Sequence, residues 1–194
     1  MVIQANNAPE KNLLDIHSVL ARACNDKNHN MRFFTLSTSD LATGESSSRI
    51  VVFRKLVDEW TIRFYTDCRS SKISEIKNNP LCSILFWDSR KSLQIRIKAE
   101  ALIHHLNDIT EKEWENIQGD AVKSYSSAVK PGKVIESSKE AHDRYEKPDH
   151  TFFSVVDCVP YRIKVLQLNR NEHLSLLYRR ESLFKPWIGN WIAP

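Results

Sequence analysis

The sequence predicts a mainly β domain with peripheral helices, an α+β fold arranged as an antiparallel barrel rather than a parallel βαβ sheet. Two observations predict this class. Apolar segments of strand length dominate the middle of the chain, and turn-rich stretches rather than long helices join most of them. The 194 residues contain no internal repeat and no low-complexity linker, so we expect one domain over residues 1–194.

The N-terminal segment predicts an amphipathic helix over residues 9–24. Pro9 suits a first helical turn, and the side chains of Leu13, Ile16 and Leu20 recur on one face. A helix with a single apolar face needs a surface to cover. We therefore expect segment 1–30 to pack this helix on the barrel.

Strands dominate the rest of the chain. The clearest is a long alternating segment over 92–105, which places Leu93, Ile95, Ile97, Ala99 and Ala101 on one face. The other expected elements, in chain order, are a hairpin over 31–55 with its turn at 40–47, a strand over 60–66, a short helix that starts after Lys72 and ends before Pro80, a strand over 81–87, helices near 111–118 and 136–145, a hairpin from strands 161–168 and 173–178, and a closing strand over 187–192.

Composition excludes several classes of protein. The four glycines are far apart, which excludes the glycine-rich loop of dinucleotide-binding folds and the P-loop. The four cysteines form no CxxC pair, so we expect reduced thiols and no metal site. No membrane span or signal peptide is evident, so we expect a cytoplasmic protein without a membrane partner. The net charge of +4 comes from interspersed residues, which suits small anions and does not indicate nucleic acid.

Hydroxyl and cationic side chains gather where the strand over 60–66 ends and the short helix begins. Thr66, Ser70, Ser71 and Lys72 offer hydrogen-bond donors and a positive charge beside the free N–H groups of that helix. A phosphate group needs both, so this segment predicts a phosphate site. The alternative, that Ser70 only caps the helix and Lys72 is a solvated surface charge, fits these residues equally well.

Two arginines and a glutamine are further candidates for ligand contacts. Arg49 and Arg54 lie five positions apart, on opposite faces of a regular strand. An arginine among apolar β-branched neighbours is costly to bury without an anion, so one of them is expected to pair with a bound acidic group. The alternative is an exposed arginine at a sheet edge. The amide of Gln94 can likewise bind the edge of a heterocycle or face water.

Taken together, these motifs resemble a known family. The segments Arg49-Ile-Val-Val-Phe-Arg54, Phe64-Tyr-Thr-Asp-Cys-Arg-Ser-Ser-Lys72, Asn79-Pro80, Gln94-Ile-Arg-Ile97 and the terminal Trp-Ile-Ala-Pro resemble, in order and spacing, the pyridoxamine 5'-phosphate oxidase family of FMN-binding split barrels. The resemblance is dense from about residue 32 to residue 94. It implies a six-stranded antiparallel Greek-key barrel that forms a homodimer, with FMN at the subunit interface and a small-molecule substrate.

The resemblance also implies which residues bind the cofactor. Arg49 and Lys72 would hold the FMN phosphate, assisted by Thr66 and Ser70. Ser71, between Ser70 and Lys72 in the same motif, is also counted among the cofactor-binding residues. The other implied contacts are main-chain groups of Ile50, Val51, Val52 and Phe53 along the isoalloxazine, Tyr65 beside the cofactor, Gln94 on the flavin ring, and Tyr125 and Ser126 in place of a Gln-Ser pair from the partner subunit.

Several positions depart from the family pattern. Ser71 stands where the oxidases have an arginine, and Arg69 is the nearest residue that could substitute for that charge. In the last hairpin the family's Arg-Leu-His-Asp-Arg run is replaced by residues 166–175, in which only His173 is retained. The family's tyrosine, arginine and serine that hold the substrate phosphate also have no clear counterpart between Trp114 and Lys123. The flavin site is therefore expected to persist without the family's substrate site.

The sequence thus predicts an FMN-binding flavoprotein, an oxidoreductase related to pyridoxamine 5'-phosphate oxidase, whose substrate it does not identify. Arg54 and His173 are the candidate substrate contacts, although a lone histidine on a strand is more often structural or exposed. Two alternatives remain open. One is an authentic pyridoxamine or pyridoxine 5'-phosphate oxidase in which Arg54 or Arg170 replaces the missing arginines. The other is a non-catalytic flavin-binding or sensing module. F420 or haem in place of FMN is also open.

Overall fold

Antiparallel β-structure dominates the computed structural model, which describes residues 1–117, 122–123, 125, 127–142 and 150–194. Its α-helices are α1 (Pro9–Asn25), α2 (Ser71–Asn78) and α3 (Asp108–Glu115). Its strands are β1 (Phe33–Ser39), β2 (Ser46–Val52), β3 (Lys55–Val57), β4 (Thr61–Asp67), β5 (Leu81–Asp88), β6 (Leu93–His105), β7 (Phe153–Gln167), β8 (Leu174–Arg179) and β9 (Ile188–Trp191). No helix in the described ranges is both long and apolar enough to cross a membrane.

The strands form one antiparallel sheet in the order β2-β1-β5-β6-β7-β4-β3, with β8 added to β7 and β9 to β8. β2 and β3 lie at opposite ends of this order, although only Phe53 and Arg54 separate them in sequence. The sheet must therefore curl until its two ends meet. The N–H of Phe53 donates to the carbonyl of Arg32 at 2.8 Å, and the N–H of Arg54 donates to the carbonyl of Arg63 on β4 at 3.0 Å.

β2 and β3 are thus the two halves of one interrupted strand. Together with β1, β4, β5, β6 and β7 they give the six strands expected for the barrel. Among the described residues no strand pairing joins β2 to β4, so the barrel remains split along that line. The predicted fold class, a mainly β split barrel with peripheral helices, is confirmed.

Phenylalanine rings fill the barrel interior. Phe34, Phe53, Phe64 and Phe86 are each at most 2% exposed. Phe34 contacts the other three, with ring centroids 5.1 to 6.2 Å apart. Burying a side chain of this size stabilises the fold by about 1.5–3 kcal/mol. Phe53 lies between β2 and β3, so its packing against Phe34 and Phe86 joins this interruption to β1 and β5.

Most helices and strands match their predictions. The start of α3 does not, and the residues that precede the helix explain the difference. It begins at Asp108 rather than near residue 111 because Asn107 and Thr110 form a capping box. The side chain of Asn107 accepts from the N–H of Thr110 at 3.1 Å, and the hydroxyl of Thr110 accepts from the N–H of Asn107 at 2.9 Å. The pattern Asn-x-x-Thr lacks the Glu or Gln that normally signals such a start.

β7 is the largest departure, since it begins at Phe153 and not at Tyr161. A proline within an apolar run argues against a central strand, and Pro160 therefore hid the first half of β7. In the structure Pro160 lies opposite Ala99, next to a β-bulge whose extra residue is Tyr161. The helix expected near 136–145 is also wrong in its described part, where a 3-10 turn at Glu140–His142 is found. Residues 143–149 lie outside the described residues.

Candidate functional site

A cleft of about 640 Å³ opens at the N-terminal end of α2, and we call it the α2 cleft. Its lining residues are Arg49 from β2, Ser70, Ser71, Lys72 and Ser74 around the start of α2, and Lys130, Pro131, Gly132 and Lys133 from a loop. Four of these side chains carry positive charge, and none of the described lining residues is acidic. Hydroxyl donors and cations therefore converge on one space, as an anionic ligand requires.

The turn between β4 and α2 leaves the helix N-terminus open towards the cleft. The carbonyl of Asp67 accepts from both the N–H and the hydroxyl of Ser70, at 3.1 and 2.8 Å. Ser70 therefore occupies the N-cap position without making a side-chain bond to the helix. Because the side chain does not cap α2, the first N–H groups of the helix keep their capacity to bind a ligand.

Lys72 is half-buried in the cleft and is not a solvated surface charge. Its ammonium group donates to the hydroxyl of Thr66 at 3.1 Å, and that hydroxyl lies 3.4 Å from the hydroxyl of Ser70. Burial lowers the pKa of Lys72, and the positive charge of Arg49 lowers it further. An ammonium group whose pKa is lowered in this way lacks a sufficient counter-charge in the fold, so a bound anion would stabilise it.

Arg49 is held from the opposite side by α2. One guanidinium nitrogen lies 2.9 Å from the Glu75 carboxylate, and another donates to the hydroxyl of Thr38. Burial alone would raise the pKa of Glu75, but the hydrogen bonds from Thr38 and Arg49 outweigh it and lower that pKa. An arginine carries five N–H donors, so these contacts orient Arg49 and leave further donors for a ligand.

Arg69 is not among the residues that line the cleft, and its expected role as a substitute for the missing arginine at position 71 stays a prediction. Its guanidinium lies 2.6 Å from the Asp67 carboxylate, donates to the carbonyl of Ser127 at 2.7 Å, and stacks on the ring of Phe152 at 3.5 Å. These contacts fasten the loop that follows Ser127. That loop brings Lys130 and Lys133 to the cleft.

Lys130 and Lys133 are the lining residues that the sequence analysis missed. Only the turn-forming pair Pro131-Gly132 between two lysines marked them in the sequence, and Gly132 does adopt a positive φ of 82°. A Lys-Pro-Gly-Lys turn on its own is an ordinary surface loop. Its position opposite α2 depends on Arg69, which lies far away in sequence, so no local pattern could have predicted it.

A second group of expected residues gathers on the outer side of β4. The guanidinium of Arg54 lies 5.4 Å from the centre of the Tyr65 ring, and both Tyr65 and Tyr125 pack against Phe153 with ring centroids 5.1 Å apart. Burial raises the pKa of Tyr125, and the nearby charge of Arg54 opposes that shift. The Nε atom of Arg54 is buried without a hydrogen-bond partner among the described residues. Ser126 lies outside them.

Tyr65 also belongs to a set of hydrogen-bonded charged and polar residues under α3, which we call the α3 ion network. Its members are Lys55, Arg63, Tyr65, His104, Glu113 and Asp157. Arg63 binds Asp157 through two contacts of 2.7 Å and also donates to Glu113. The hydroxyl of Tyr65 donates to Glu113 at 2.6 Å. Burial, followed by this hydrogen bond, raises the pKa of Tyr65 well above its ordinary value.

The remaining expected residues are distributed over other surfaces. Gln94 faces outward from β6, because its neighbours Leu93 and Ile95 are fully buried in the core. Ile50 is 72% exposed on the outer face of β2, whereas the side chain of Phe53 is fully buried. Val51 and Val52 are half-buried on the edge strand β2.

His173 is exposed in the connection before β8. Its Nδ1 atom accepts from the N–H of Asn169 at 3.3 Å. Within the described residues it lies neither among those that line the α2 cleft nor in the group formed by Arg54, Tyr65 and Tyr125. Its proposed contact with a substrate therefore remains a prediction.

Sequence relatives point to the same cofactor as the resemblance. Residues 15–105 match the family model described as "Pyridoxamine 5'-phosphate oxidase, FMN-binding domain". The pyridoxamine 5'-phosphate oxidase of Saccharomyces cerevisiae is 27% identical over 174 residues, which cover 82% of this chain and 75% of that protein. The probable pyridoxamine 5'-phosphate oxidase of Schizosaccharomyces pombe is 26% identical, and the match covers 82% of this chain and 74% of that one.

Solved structures share the fold over nearly the whole chain. A pyridoxamine 5'-phosphate oxidase-related, FMN-binding protein from Nostoc punctiforme has a TM-score of 0.77 at 21% identity, covering 97% of this chain and 100% of its own. PhzG from Burkholderia lata, in complex with tetrahydrophenazine-1-carboxylic acid, has a TM-score of 0.75 at 19% identity, covering 98% and 95%. Residues 15–105, which include Arg49, Lys72 and Gln94, are thus similar to the FMN-binding domain of the pyridoxamine 5'-phosphate oxidases.

Proposed function

We propose that this protein is an FMN-dependent oxidoreductase that works as a homodimer and holds the phosphate of FMN in the α2 cleft. The observation that carries this proposal is the pair formed by Lys72 and Arg49. Both are partly buried at the open N-terminus of α2, where burial and then the positive charge of Arg49 lower the pKa of Lys72. A phosphate monoester, with a charge of about −1.5 to −2 near neutral pH, supplies the missing counter-charge.

The rest of the flavin has a path along the free edge of the sheet. β2 is an end strand, so the side away from β1 presents main-chain N–H and C=O groups that none of the nine described strands pairs with. The main chain from Ile50 to Phe53 can therefore line the ring, as the resemblance implies, although the side chain of Phe53 belongs to the core. When bound, FMN supplies the redox chemistry, while the protein positions the ring and limits the access of water.

The proposed homodimer rests on two observations. Arg49 is paired with the fully buried Leu36 and so faces the core side of the sheet, whereas Gln94 faces outward. Gln94 also shares no cavity with the α2 cleft. One flavin can therefore meet both residues most directly if a second copy contributes Gln94.

The outer face of β1, β2 and β5 supplies the surface for that second copy. It exposes Phe33, Ile50, Leu85 and Trp87 side by side, and together they line one shallow depression. An exposed apolar patch of this kind is typical of protein interfaces. We place the protein in the cytoplasm because its four cysteines are free thiols.

A second candidate, an authentic pyridoxamine or pyridoxine 5'-phosphate oxidase, is favoured by one observation. Arg54 presents a buried, unpartnered Nε beside Tyr65 and Tyr125, among the described residues, and could bind an anionic substrate group. The two curated relatives carry that enzyme's name. We favour another substrate, because His173 is exposed and Asn171 and Ser175 stand where the family has arginines.

The absorbance spectrum of the purified protein tests the cofactor. We expect flavin bands and one FMN per chain after soaking and desalting, and the Arg49→Ala, Lys72→Ala double variant should lose the flavin while remaining folded by circular dichroism. A preparation that stays colourless would refute the proposal, and a Soret band would indicate haem. Incubating the loaded protein with pyridoxine 5'-phosphate and measuring pyridoxal 5'-phosphate decides between the candidates, since turnover at ordinary enzyme rates would establish the second.

Co-expression of two differently tagged variants tests the dimer. A heterodimer of a Lys72→Ala chain and a Gln94→Ala chain should keep one intact site, made from the cleft of the second chain and Gln94 of the first. A heterodimer of wild type with a chain carrying both substitutions should keep none. Equal flavin affinity in the two heterodimers would contradict the proposed exchange of Gln94 between subunits.

A further inference from the structure

The outer face of β5, β6 and β7 carries an open groove of about 400 Å³ that the proposed flavin contacts do not explain. Its lining residues are Ser37, Ser83, Ile84, Leu85, Gln94, Arg96, Ile97, Lys98, Arg162 and Lys164. Except for Gln94, none of these residues was expected to bind the cofactor. The groove shares no lining residue with the α2 cleft. It is therefore a separate candidate binding site of a size that small molecules occupy.

The four basic side chains of this groove face one another in two pairs. In the register of β6 and β7, Arg96 lies directly opposite Lys164, and Lys98 lies directly opposite Arg162. Like charges at directly opposite positions destabilise an antiparallel sheet. Two such pairs in succession are thus an unfavourable arrangement for the fold alone.

Nothing described within the groove neutralises these charges. No lining residue is acidic, and none of the four cations forms an ion pair with any residue in the described ranges. Lys98 donates to the hydroxyl of Ser83 at 2.7 Å, which positions its ammonium group without compensating its charge. On β8, Arg179 lies opposite Arg162 and adds a further positive charge beside the groove.

The spacing of the two cation pairs indicates how many anionic groups the ligand has and how far apart they are. Residues two apart on a strand are about 7 Å apart, and directly opposite side chains begin about 5 Å apart. One anionic group can therefore bridge Arg96 and Lys164, and a second can bridge Lys98 and Arg162. We propose that the groove binds a small molecule with two anionic groups roughly 7 Å apart, whose body contacts Gln94 and Leu85 at the rim.

This binding site stands on the groove itself and does not depend on the proposed function. One consequence does rest on that function. Because Gln94 lines the groove and is the expected contact of the flavin ring, the bound anion would lie next to the ring in the proposed dimer. A molecule with two anionic groups is then the substrate class of the oxidoreductase.

Inorganic tripolyphosphate, with its two separated anionic ends, is a suitable probe, and orthophosphate is its single-anion control. Isothermal titration of the FMN-loaded protein should show saturable binding of tripolyphosphate, at least about tenfold tighter than that of orthophosphate. The Arg96→Gln, Lys164→Gln and the Lys98→Gln, Arg162→Gln double variants should each weaken tripolyphosphate binding at least about tenfold. Lys27→Gln, Lys185→Gln is the matched control, because it removes two exposed cations elsewhere and should leave binding unchanged.

A second measurement keeps the test independent of the probe. Without any ligand and at low salt, both groove variants should have a higher melting temperature than wild type, because each removes a repelling pair, and the control should not. Equal binding of the two phosphates, unchanged binding in the groove variants, or tighter binding of duplex DNA than of tripolyphosphate would overturn the inference. Flavin content is recorded by absorbance in the same samples. Tripolyphosphate binding by a protein that takes up no FMN would uphold the groove and refute the proposed function.

Discussion

Arg63 and Lys72 lie nine positions apart in sequence, both partly enclosed by protein, and their pKa values are shifted in opposite directions. Hydrogen bonds that Arg63 donates to the Asp157 carboxylate raise the pKa of Arg63 far above its ordinary value, and Glu113 adds to that shift. Burial lowers the pKa of Lys72, and Arg49 lowers it further. The α3 ion network thus places two carboxylates beside Arg63, whereas the α2 cleft places a second cation, Arg49, near Lys72.

This difference separates charges that hold the fold from charges that await a ligand. In the α3 ion network two carboxylates face Arg63, and all three residues are at most 7% exposed. In the α2 cleft, Glu75 forms its ion pair with Arg49, whereas Lys72 donates to the hydroxyl of Thr66 and forms no ion pair within the described residues. Substitutions in the first region should therefore change stability, and substitutions in the second should change ligand affinity.

The largest expected effect is loss of stability in Arg63→Ala. Removing this side chain takes the buried guanidinium away from two buried carboxylates and leaves Glu113 with Lys55 and Tyr65 and Asp157 with His104. The loss of this central charge should lower the free energy of unfolding by about 3–5 kcal/mol. Urea denaturation followed by fluorescence measures it. Lys55→Ala is the matched control, because Lys55 contacts the same Glu113 from a side chain that is 51% exposed, and it should cost less than about 1 kcal/mol. Equal losses in the two variants would show that the buried and the exposed partner of Glu113 contribute equally to stability.

Lys72→Met should show the reverse pattern, a large change in affinity with little change in stability. Losing one charge-assisted bond to phosphate, worth about 1.5–3 kcal/mol, should weaken FMN binding by about 10- to 100-fold. A lysine with a lowered pKa disfavours the fold while it is charged, so its removal should leave the free energy of unfolding unchanged or raise it. Fluorescence titration with FMN and urea denaturation measure the two quantities. A stability loss as large as that of Arg63→Ala would assign Lys72 to the fold instead.

The pH dependence of FMN binding sharpens this prediction. The protonated amine binds phosphate, so affinity should be complete at neutral pH and fall as the pH rises through the lowered pKa of Lys72, beginning below the ordinary value of 10.5. In Lys72→Arg that decline should disappear, because a guanidinium stays protonated throughout this range. An identical alkaline profile in wild type and Lys72→Arg would show that another group titrates.

Much of the barrel could be predicted because its signals are local. The alternation along β6 and the apolar face of α1 each follow from a period in the sequence, and the structure confirms both. The α2 cleft was partly predictable for the same reason, since Thr66, Ser70 and Lys72 are close in sequence. Pro160 shows the limit, because a residue that usually excludes a strand lies here beside a bulge in the middle of β7.

Features that depend on distant pairs could not be predicted. Arg63 and Asp157 meet because β4 pairs with β7, 94 positions apart in sequence, and neither residue signals the other. The opposed cations of β6 and β7 have the same origin, since each pair becomes visible only once the register is known. Charge compensation is thus a property of the fold, and it is this property that distinguishes a structural arginine from a ligand-binding one.

The smallest expected effect is that of Lys130→Gln, Lys133→Gln in the loop of the α2 cleft. Both lysines are exposed, so each contributes about 0.2–1 kcal/mol to phosphate binding at low salt, and the double variant should bind FMN a few-fold more weakly. Salt screens exposed charges more than buried ones. The difference from wild type should therefore vanish in titrations at high ionic strength, whereas the defect of Lys72→Met should persist. If instead the loop variant kept its defect in high salt, Lys130 and Lys133 would be shielded from solvent in the FMN complex. The loop would then contact the phosphate more closely than its exposure in the structure indicates.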